Sequence, residues 1–385
     1  MDNTKGQDCP AENRTECRTV ADLTCMYANI DSITNKMDEL NAIITEQNPD
    51  IIGITEVKPK YTNCQLSAQE LNIDGYTAFV NLSGRGVALY VKNCFGAVDL
   101  KPKQEADAAA RCTLKITRTE TMAIGVVYRS PNSTEQQNRR MEANIRSAAD
   151  DQFHYFLLMG DFNFPEIDWN IFRVNAADNH PAVSFMNCIQ DLFLHQHMLE
   201  PTHYRHGQTA NILDLVFTNG EEPVTDLLCT VPIGKSQHST LTWTVTCYLQ
   251  RSFTSTVKHC YNKANFEGIR ELLSMASWED KLNGLILKEM WCEIKESILD
   301  AVKLYVPVVT YNENKNPQRR KPVWMNDRAL AALKRKKKAY DKYLRSRDGK
   351  DYIEYVKFCN TAKSEVRNAV RNYEKDIAGL SLIHI

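Results

Sequence analysis

The 385-residue sequence contains no apolar run approaching the roughly 18 residues that a membrane span needs. Its first residues, MDNTKGQDCPAENRTEC, are polar throughout and lack the apolar core of a signal peptide. Residues 1–19 therefore read as a flexible tail on a chain kept inside the cell. Twelve cysteines are present, but there is no CxxC pair and no Cys/His cluster. That speaks against a structural zinc site and against a disulfide scaffold, and reduced thiols are the expectation. The sequons at Asn13, Asn81 and Asn132 carry no meaning in that setting. No internal repeat is found. Net charge is also missing: 47 Lys+Arg against 48 Asp+Glu leave −1, which alone argues against a polyanionic partner. The sum conceals a split. Residues 1–250 hold 20 basic and 31 acidic side chains, a net of −11, and residues 251–385 hold 27 and 17, a net of +10.

Along the acidic part, LTCMYA (23–28) reads as a strand. From about Ser32 to Gln47, Ile33, Met37, Leu40 and Ile44 recur at spacings of four, three and four, an amphipathic helix that Asn48-Pro49 stops. DIIGIT (50–55) follows as a buried strand ending at Glu56. From Tyr76 to Val127 short β runs alternate with turn residues, an antiparallel pattern. A helix near 134–149, the strand HYFLLMG (154–160), a helix near 182–194 and strands at 212–218 and 239–249 complete this part. After about residue 250 the β signals fade, and 265–305 and 324–378 read as helices joined by a polar linker over 309–322.

Four places can carry chemistry. In FLLMGDFN an apolar strand runs into Gly160, which allows a sharp exit, and then Asp161 and Asn163, two apart and so on one face of an extended stretch. A carboxylate and an amide there suit water activation beside a phosphate, although an Asp/Asn turn after a strand is the plain structural alternative. Glu56, at a strand's end, is a hard-metal ligand or a solvated loop residue, and Asn29 is a ligand or a helix-entry residue. Asp214 sits in the apolar run ILDLVFT and must face water or find partners. His238, in GKSQHSTL, is an acid, a base or a phosphate contact, or else a surface histidine. Tyr128 and Arg129 close another strand and offer a hydroxyl and a guanidinium to a phosphate, although Tyr128 could equally cap the core.

The order N…E…Y…GDxN…D…SxH, each at a strand end, resembles the endonuclease/exonuclease/phosphatase superfamily. The runs YANIDSITNKMDEL, PDIIGITEV, GRGVALYVKN, VVYRSPN, LLMGDFNFPEIDW, NILDLVFTN and IGKSQHSTL are similar to the endonuclease of CR1-like LINE (non-LTR) retrotransposons. KPVWMNDRALAALKRKKKAY resembles the connector before the reverse transcriptase of such elements. The resemblance implies an α+β fold, a four-layer α/β sandwich of two mainly antiparallel sheets packed face to face and flanked by helices, over 20–250. A helical connector and linker over 251–322 and a basic helical region over 323–385 would follow. It implies Mg²⁺, with Mn²⁺ as an alternative, held by Glu56 and Asn29. Asp161 would orient or deprotonate the attacking water with help from Asn163, Tyr128 would touch phosphate, and Asp214 would orient groups near it. His238 would stabilise the crowded phosphate, and Thr202, Arg129 and Ser236 would be further phosphate contacts. One position departs: where the family has Ser-Asp-His this chain has Ser236-Gln237-His238. The missing Asp is expected to have held and polarised the histidine. No Phe/Tyr-x-Asp-Asp motif occurs, so a truncated element that cannot polymerise is expected.

The basic part carries Arg319, Arg320, Lys321, Lys334, Arg335, Lys336, Lys337 and Lys338. Five successive cations cover every face of a helix, which suits DNA or RNA phosphates, a nuclear-import signal, or a solvated helix with no partner. The reading is a Mg²⁺-dependent nuclear endonuclease that nicks DNA to leave a 3′-hydroxyl. The alternatives are a nucleic-acid-binding fragment without catalysis and a phosphatase of small phosphate esters.

Overall fold

The structure, a computed structural model, describes residues 19–60, 66–101, 108–117, 119–149, 153–205, 207–220, 224–249, 255–312 and 322–383. The tail read over 1–19 falls outside them except for Thr19, and so do Arg319, Arg320 and Lys321. Two compact units are present, one of residues 1–250 with 319–385 and one of 251–318.

In chain order the first unit runs β1 (Thr19–Asn29), α1 (Met37–Gln47), β2 (Ile51–Thr55), β3 (Tyr76–Asn81), β4 (Val87–Lys92), β5 (Val98–Asp99), β6 (Ala109–Lys115), β7 (Thr121–Tyr128), α2 (Glu135–Ala148), β8 (Tyr155–Asp161), β9 (Ile167–Asp168), β10 (Arg173–Val174), α3 (Pro181–Asp191), β11 (His195–Gln196), β12 (Asp214–Thr218), β13 (Val224–Thr230) and β14 (Thr240–Leu249). The second unit holds β15 (Ser255–His259), α4 (Phe266–Ser274), α5 (Trp278–Leu282), α6 (Leu287–Tyr305) and β16 (Val308–Asn312). The first unit ends with α7 (Asp327–Ser346) and α8 (Gly349–Ile383).

Two six-stranded sheets form, in the orders β13-β14-β1-β2-β4-β3 and β11-β12-β8-β7-β6-β5. Each is antiparallel apart from one parallel pair, β1 with β2 and β7 with β8. Their central strands are apolar on both faces, and side-chain alternation sorts the two faces into different layers. Leu23, Cys25 and Tyr27 of β1 meet Leu157 and Met159 of β8 between the sheets. The intervening Met26 and Ala28 pack on Leu40 and Ile44 of α1, and Phe156 and Leu158 pack on Phe185 and Ile189 of α3. The result is the α/β/β/α sandwich with two mixed sheets and a helical C-terminal region.

Local details depart from the sequence reading. Helix α1 starts at Met37 rather than Ser32, because Asp31, Ser32 and Asn35 take left-handed φ of 41°, 72° and 63°. The stretch read as a linker from 309 begins as strand β16, whose β-branched VVTYN pairs with β15 from the far side of the helices. The single helix read over 324–378 is two, broken at Arg347 with φ 55°. Tyr340 stacks near Tyr355 and Tyr343 near Tyr352, as in an antiparallel hairpin.

Candidate active site

The inward face of each central strand ends in a polar residue. Cys25, Tyr27 and Asn29 share a face of β1; Leu157, Met159 and Asp161 share one of β8; Val216 and Asp214 share one of β12. Tyr128 closes β7 in the same way. Strand register brings these ends together: Asp161 is the partner of Tyr128 in the parallel ladder and of Asp214 in the antiparallel one. The two sheets face each other, so their polar ends converge at one rim of the sandwich.

At that rim Asn29 Nδ2 donates to Asp161 Oδ2 at 2.9 Å, and the Asn163 amide donates to Asp161 Oδ1 at 3.2 Å. Asp214 is fully buried and lies 2.8 Å, through Oδ2, from His238 Nδ1. Its Oδ1 accepts from the Tyr27 hydroxyl at 3.0 Å. His238 Nε2 faces Asp161 Oδ2 at 3.9 Å. Burial lifts the Asp161 carboxyl above the carboxylate range, and Asp214 and Glu56 add to it against the pull of His238 and Asn29. Burial works against the charge of His238, but Asp214 and Asp161 outweigh it and hold the imidazolium above its usual range. Glu56 accepts from Arg85 at 2.6 Å, and burial together with Glu56 pushes up the pKa of the Tyr128 hydroxyl. Arg85 also pairs with Asp31 at 2.7 Å.

The histidine therefore has its carboxylate. The expectation that Gln237 leaves the imidazole without a polarising carboxylate is not met, because Asp214, from a different strand, lies against its Nδ1. The Gln237 carbonyl accepts from the Tyr204 amide at 2.8 Å, and the ring of the neighbouring His203 lies 4.7 Å from that of His238.

Three expected phosphate contacts are bracing residues here. Thr202 is fully buried and its hydroxyl oxygen accepts the amides of Leu213 at 3.1 Å and Asp214 at 3.0 Å. Ser236 donates to the Asn29 carbonyl at 2.7 Å and accepts from the His238 amide at 3.2 Å. Arg129 is buried over the Phe164 ring and donates to Asn138 at 2.8 Å and to the Asn163 carbonyl at 2.9 Å. Asn163 does not continue an extended stretch from Asp161. Its φ is 49°, and its Nδ2 donates back to the Arg129 carbonyl at 2.8 Å. Glu56 is also left-handed, with φ 55°. Such backbone costs on the order of 1–3 kcal/mol per residue and clusters at functional sites.

Lys336 leaves the set of cations read as facing nucleic acid. It is 1% exposed and pairs with Glu39. The run of cations does have a buried face, because Ala329, Ala332, Lys336, Ala339, Tyr340 and Tyr343 line one side of α7. Lys334, Arg335, Lys337 and Lys338 are exposed. Tyr27, whose hydroxyl also lies 2.8 Å from the Thr55 hydroxyl, and Arg85 belong to the site but were not legible as functional. Tyr27 reads as core, and its position two before Asn29 on the same face was the available signal. Arg85 stands in the turn Gly84-Arg85-Gly86, whose glycines take φ of 56° and 76°.

Asp161, Asp214 and His238 present ligand atoms within 4.8 Å of one another, with Glu56 and Asn29 beside them. Asp161 and Asp214, two buried carboxylates on paired strand ends, are a donor set fitted to a hard divalent cation. Among the described residues, no helix is long and apolar enough to cross a membrane.

Residues 26–238 match the model of the Endonuclease/Exonuclease/phosphatase family. Among solved structures the chain is similar to the endonuclease domain of TRAS1, a telomere-specific non-LTR retrotransposon, with 14% identity over 60% of this chain and 100% of that one and a TM-score of 0.45. It is similar to the AP endonuclease LMAP from Leishmania major, with 13% identity over 59% and 88% and a TM-score of 0.47. An AP endonuclease from Archaeoglobus fulgidus gives 16% identity over 58% and 99% and a TM-score of 0.43. No curated protein matches the chain.

Proposed function

The chain belongs to the Endonuclease/Exonuclease/phosphatase family, and on that premise we propose that it hydrolyses a phosphodiester of DNA with Mg²⁺, leaving a nick with a 3′-hydroxyl. The observation that carries this reading is the pair of facing strand ends, Asp161 held by Asn29 and His238 held by Asp214, 3.9 Å apart across the sandwich rim. Bound Mg²⁺, or Mn²⁺ in its place, would neutralise charge on the scissile phosphate and the leaving oxygen, with Glu56 and Asn29 proposed to hold it.

The remaining work falls to the chain's own groups. Asp161 is the carboxylate placed to orient an attacking water and take its proton. His238 Nδ1 is committed to Asp214, so Nε2 is the nitrogen that presents a proton to the crowded phosphate, as donors in an oxyanion hole do. Tyr128 and Asn163 flank the same space. Lys334, Arg335, Lys337 and Lys338 supply positive charge on the same compact unit, which favours a polyanionic substrate over a small phosphate ester; RNA is a second polyanion they would accept.

Nicking of supercoiled plasmid with Mg²⁺ tests this. Open circles from the wild type, and none above background from Asp161→Ala, are expected. Equal yields from both would sink the proposal.

A further inference from the structure

The family match ends at His238, yet the chain's last two helices reach back to the loop that carries this histidine. Lys336 of α7 is enclosed and donates to Glu39 of α1 and to the Pro232 carbonyl, the latter at 2.7 Å. The other oxygen of Glu39 accepts the Gly234 amide at 3.2 Å. Two residues on, Ser236 ties the loop to Asn29 and to the His238 amide. On the far side of His238, the Ser239 hydroxyl lies 2.8 Å from the Tyr340 hydroxyl, and both side chains are buried. The Ser239 amide donates to the Thr202 carbonyl at 2.7 Å, and Thr202 in turn receives the Asp214 amide. Finally, the Arg347 guanidinium sits 4.0 Å above the ring centroid of Tyr204, the residue whose amide holds Gln237.

We propose that the α7–α8 hairpin is a positioning element of the active site, fixing the 231–239 loop and with it His238 through Lys336, Tyr340 and Arg347. The inference rests on the nuclease reading above. Packing alone does not explain these contacts. Burying an ammonium and two hydroxyls is costly, and Met or Phe would fill the same space. What the polar groups add is register: each grips a defined atom of the loop, the carbonyl of Pro232, the amide of Gly234 through Glu39, or the hydroxyl of Ser239. His238 is thereby clamped from both sides of the chain, while Asp214 fixes the ring.

The experiment uses the full chain as wild type, Tyr340→Phe, Ser239→Ala, the double variant of these two, and Lys336→Met. None of the substitutions in the Tyr340–Ser239 pair changes charge, so neither alters attraction to the substrate. Amide hydrogen exchange over 231–239 reads the loop directly, and plasmid-nicking kinetics read its consequence. Tyr340→Phe is expected to speed exchange in the loop by about tenfold. It should lower kcat by about tenfold, less than the roughly 10²-fold that a full ångström of misplacement costs, with KM within about twofold. The double variant should be no worse than Ser239→Ala alone, the mark of a single interaction shared by the two hydroxyls. Lys336→Met should loosen the same peptides. Unchanged loop exchange in both Tyr340→Phe and Lys336→Met would overturn the proposal, and so would a loosened loop with unchanged kcat. A wild type that does not nick would overturn the nuclease reading instead, and loop exchange would then decide the clamp by itself.

Discussion

His238 has its Nδ1 2.8 Å from Asp214, and that one hydrogen bond alters what the Gln237 position can mean for catalysis. If Asp214 sets the tautomer and charge of the imidazole, Asp214→Asn should lower kcat by roughly 10²–10⁴, the scale seen when a histidine loses its carboxylate partner in a catalytic triad. Gln237→Asp should then change kcat by less than about threefold, because Asp214 already occupies the imidazole Nδ1. Steady-state nicking rates of the two variants side by side check both expectations. A large gain from Gln237→Asp would mean that the loop carboxylate matters in some other way. A second residue-scale prediction concerns stability. Burial, aided by His195, lowers the pKa of His197 to about 4, and its Nε2 lies 2.6 Å from the Thr218 hydroxyl. Between that value and the ordinary one near 6.5 the unfolded chain binds a proton that the folded chain refuses, so stability rises with pH across this window. Chemical denaturation at pH 7 and pH 5 should show a smaller loss on acidification for His197→Gln than for the wild type.

Among the elements, β8 shows both what the sequence reveals and what it hides. An apolar run ending in Asp161 was legible as a buried strand carrying a functional end, because period-two alternation places Leu157, Met159 and Asp161 on one face. The role of Gly160 was not. It lies inside the strand rather than in a turn, and a Cβ there would overlap the Val127 carbonyl of the neighbouring β7. Close approach of two parallel strands, not a sharp exit, is what requires glycine. Gly160→Ala should therefore destabilise the chain by about 1–3 kcal/mol or more, measured by equilibrium denaturation, and weaken nicking by moving Asp161. The same division holds for the other elements. Asn29, Tyr128 and Asp214 stand at strand ends, and Glu56 and His238 one and two residues beyond them, all marked by apolar patterning in the sequence. Arg129 and Thr202 became braces because their partners, Asn163 and Asp214, come from elsewhere in the chain, and nothing local encodes such pairing. Lys336 is the clearest case. A lysine among four other cations reads as facing a polyanion or solvent, and only the fold, which brings Glu39 of α1 to it, makes it a buried ion-pair partner. Removing that ammonium alone leaves a buried carboxylate unpaired, so Lys336→Met should cost about 3–5 kcal/mol in denaturant unfolding. Lys336→Met with Glu39→Leu should recover much of the loss, since apolar pairs often replace buried ion pairs at little cost.

Across the whole molecule, the charge split in the sequence does not coincide with the division into compact units. The acidic segment and the basic hairpin share one unit, and residues 251–318 form the other. The carboxylates that raise the Asp161 pKa and the exposed cations of α7 therefore belong to a single body, and the near-zero total combines two opposed local fields. A repulsive rim of carboxylates would discourage a DNA backbone unless cations nearby attract it, so the basic helix is predicted to contribute affinity rather than chemistry. Binding of duplex DNA should weaken with salt, and replacing Lys334, Arg335, Lys337 and Lys338 with alanine should flatten the plot of log K against log salt. Each phosphate that is no longer neutralised takes about 0.9 off the slope, so the four substitutions together should reduce it by up to about 3–4. Titrations in an Asp161→Ala background keep the DNA uncut while slopes are compared, and Lys336 stays in place so that the clamp on the His238 loop is preserved. An unchanged slope would mean that these four cations only solvate the helix. A reduced slope, with kcat unchanged in the otherwise wild-type chain, would separate the hairpin's two faces: the exposed one holding the polyanion, the buried one holding the loop.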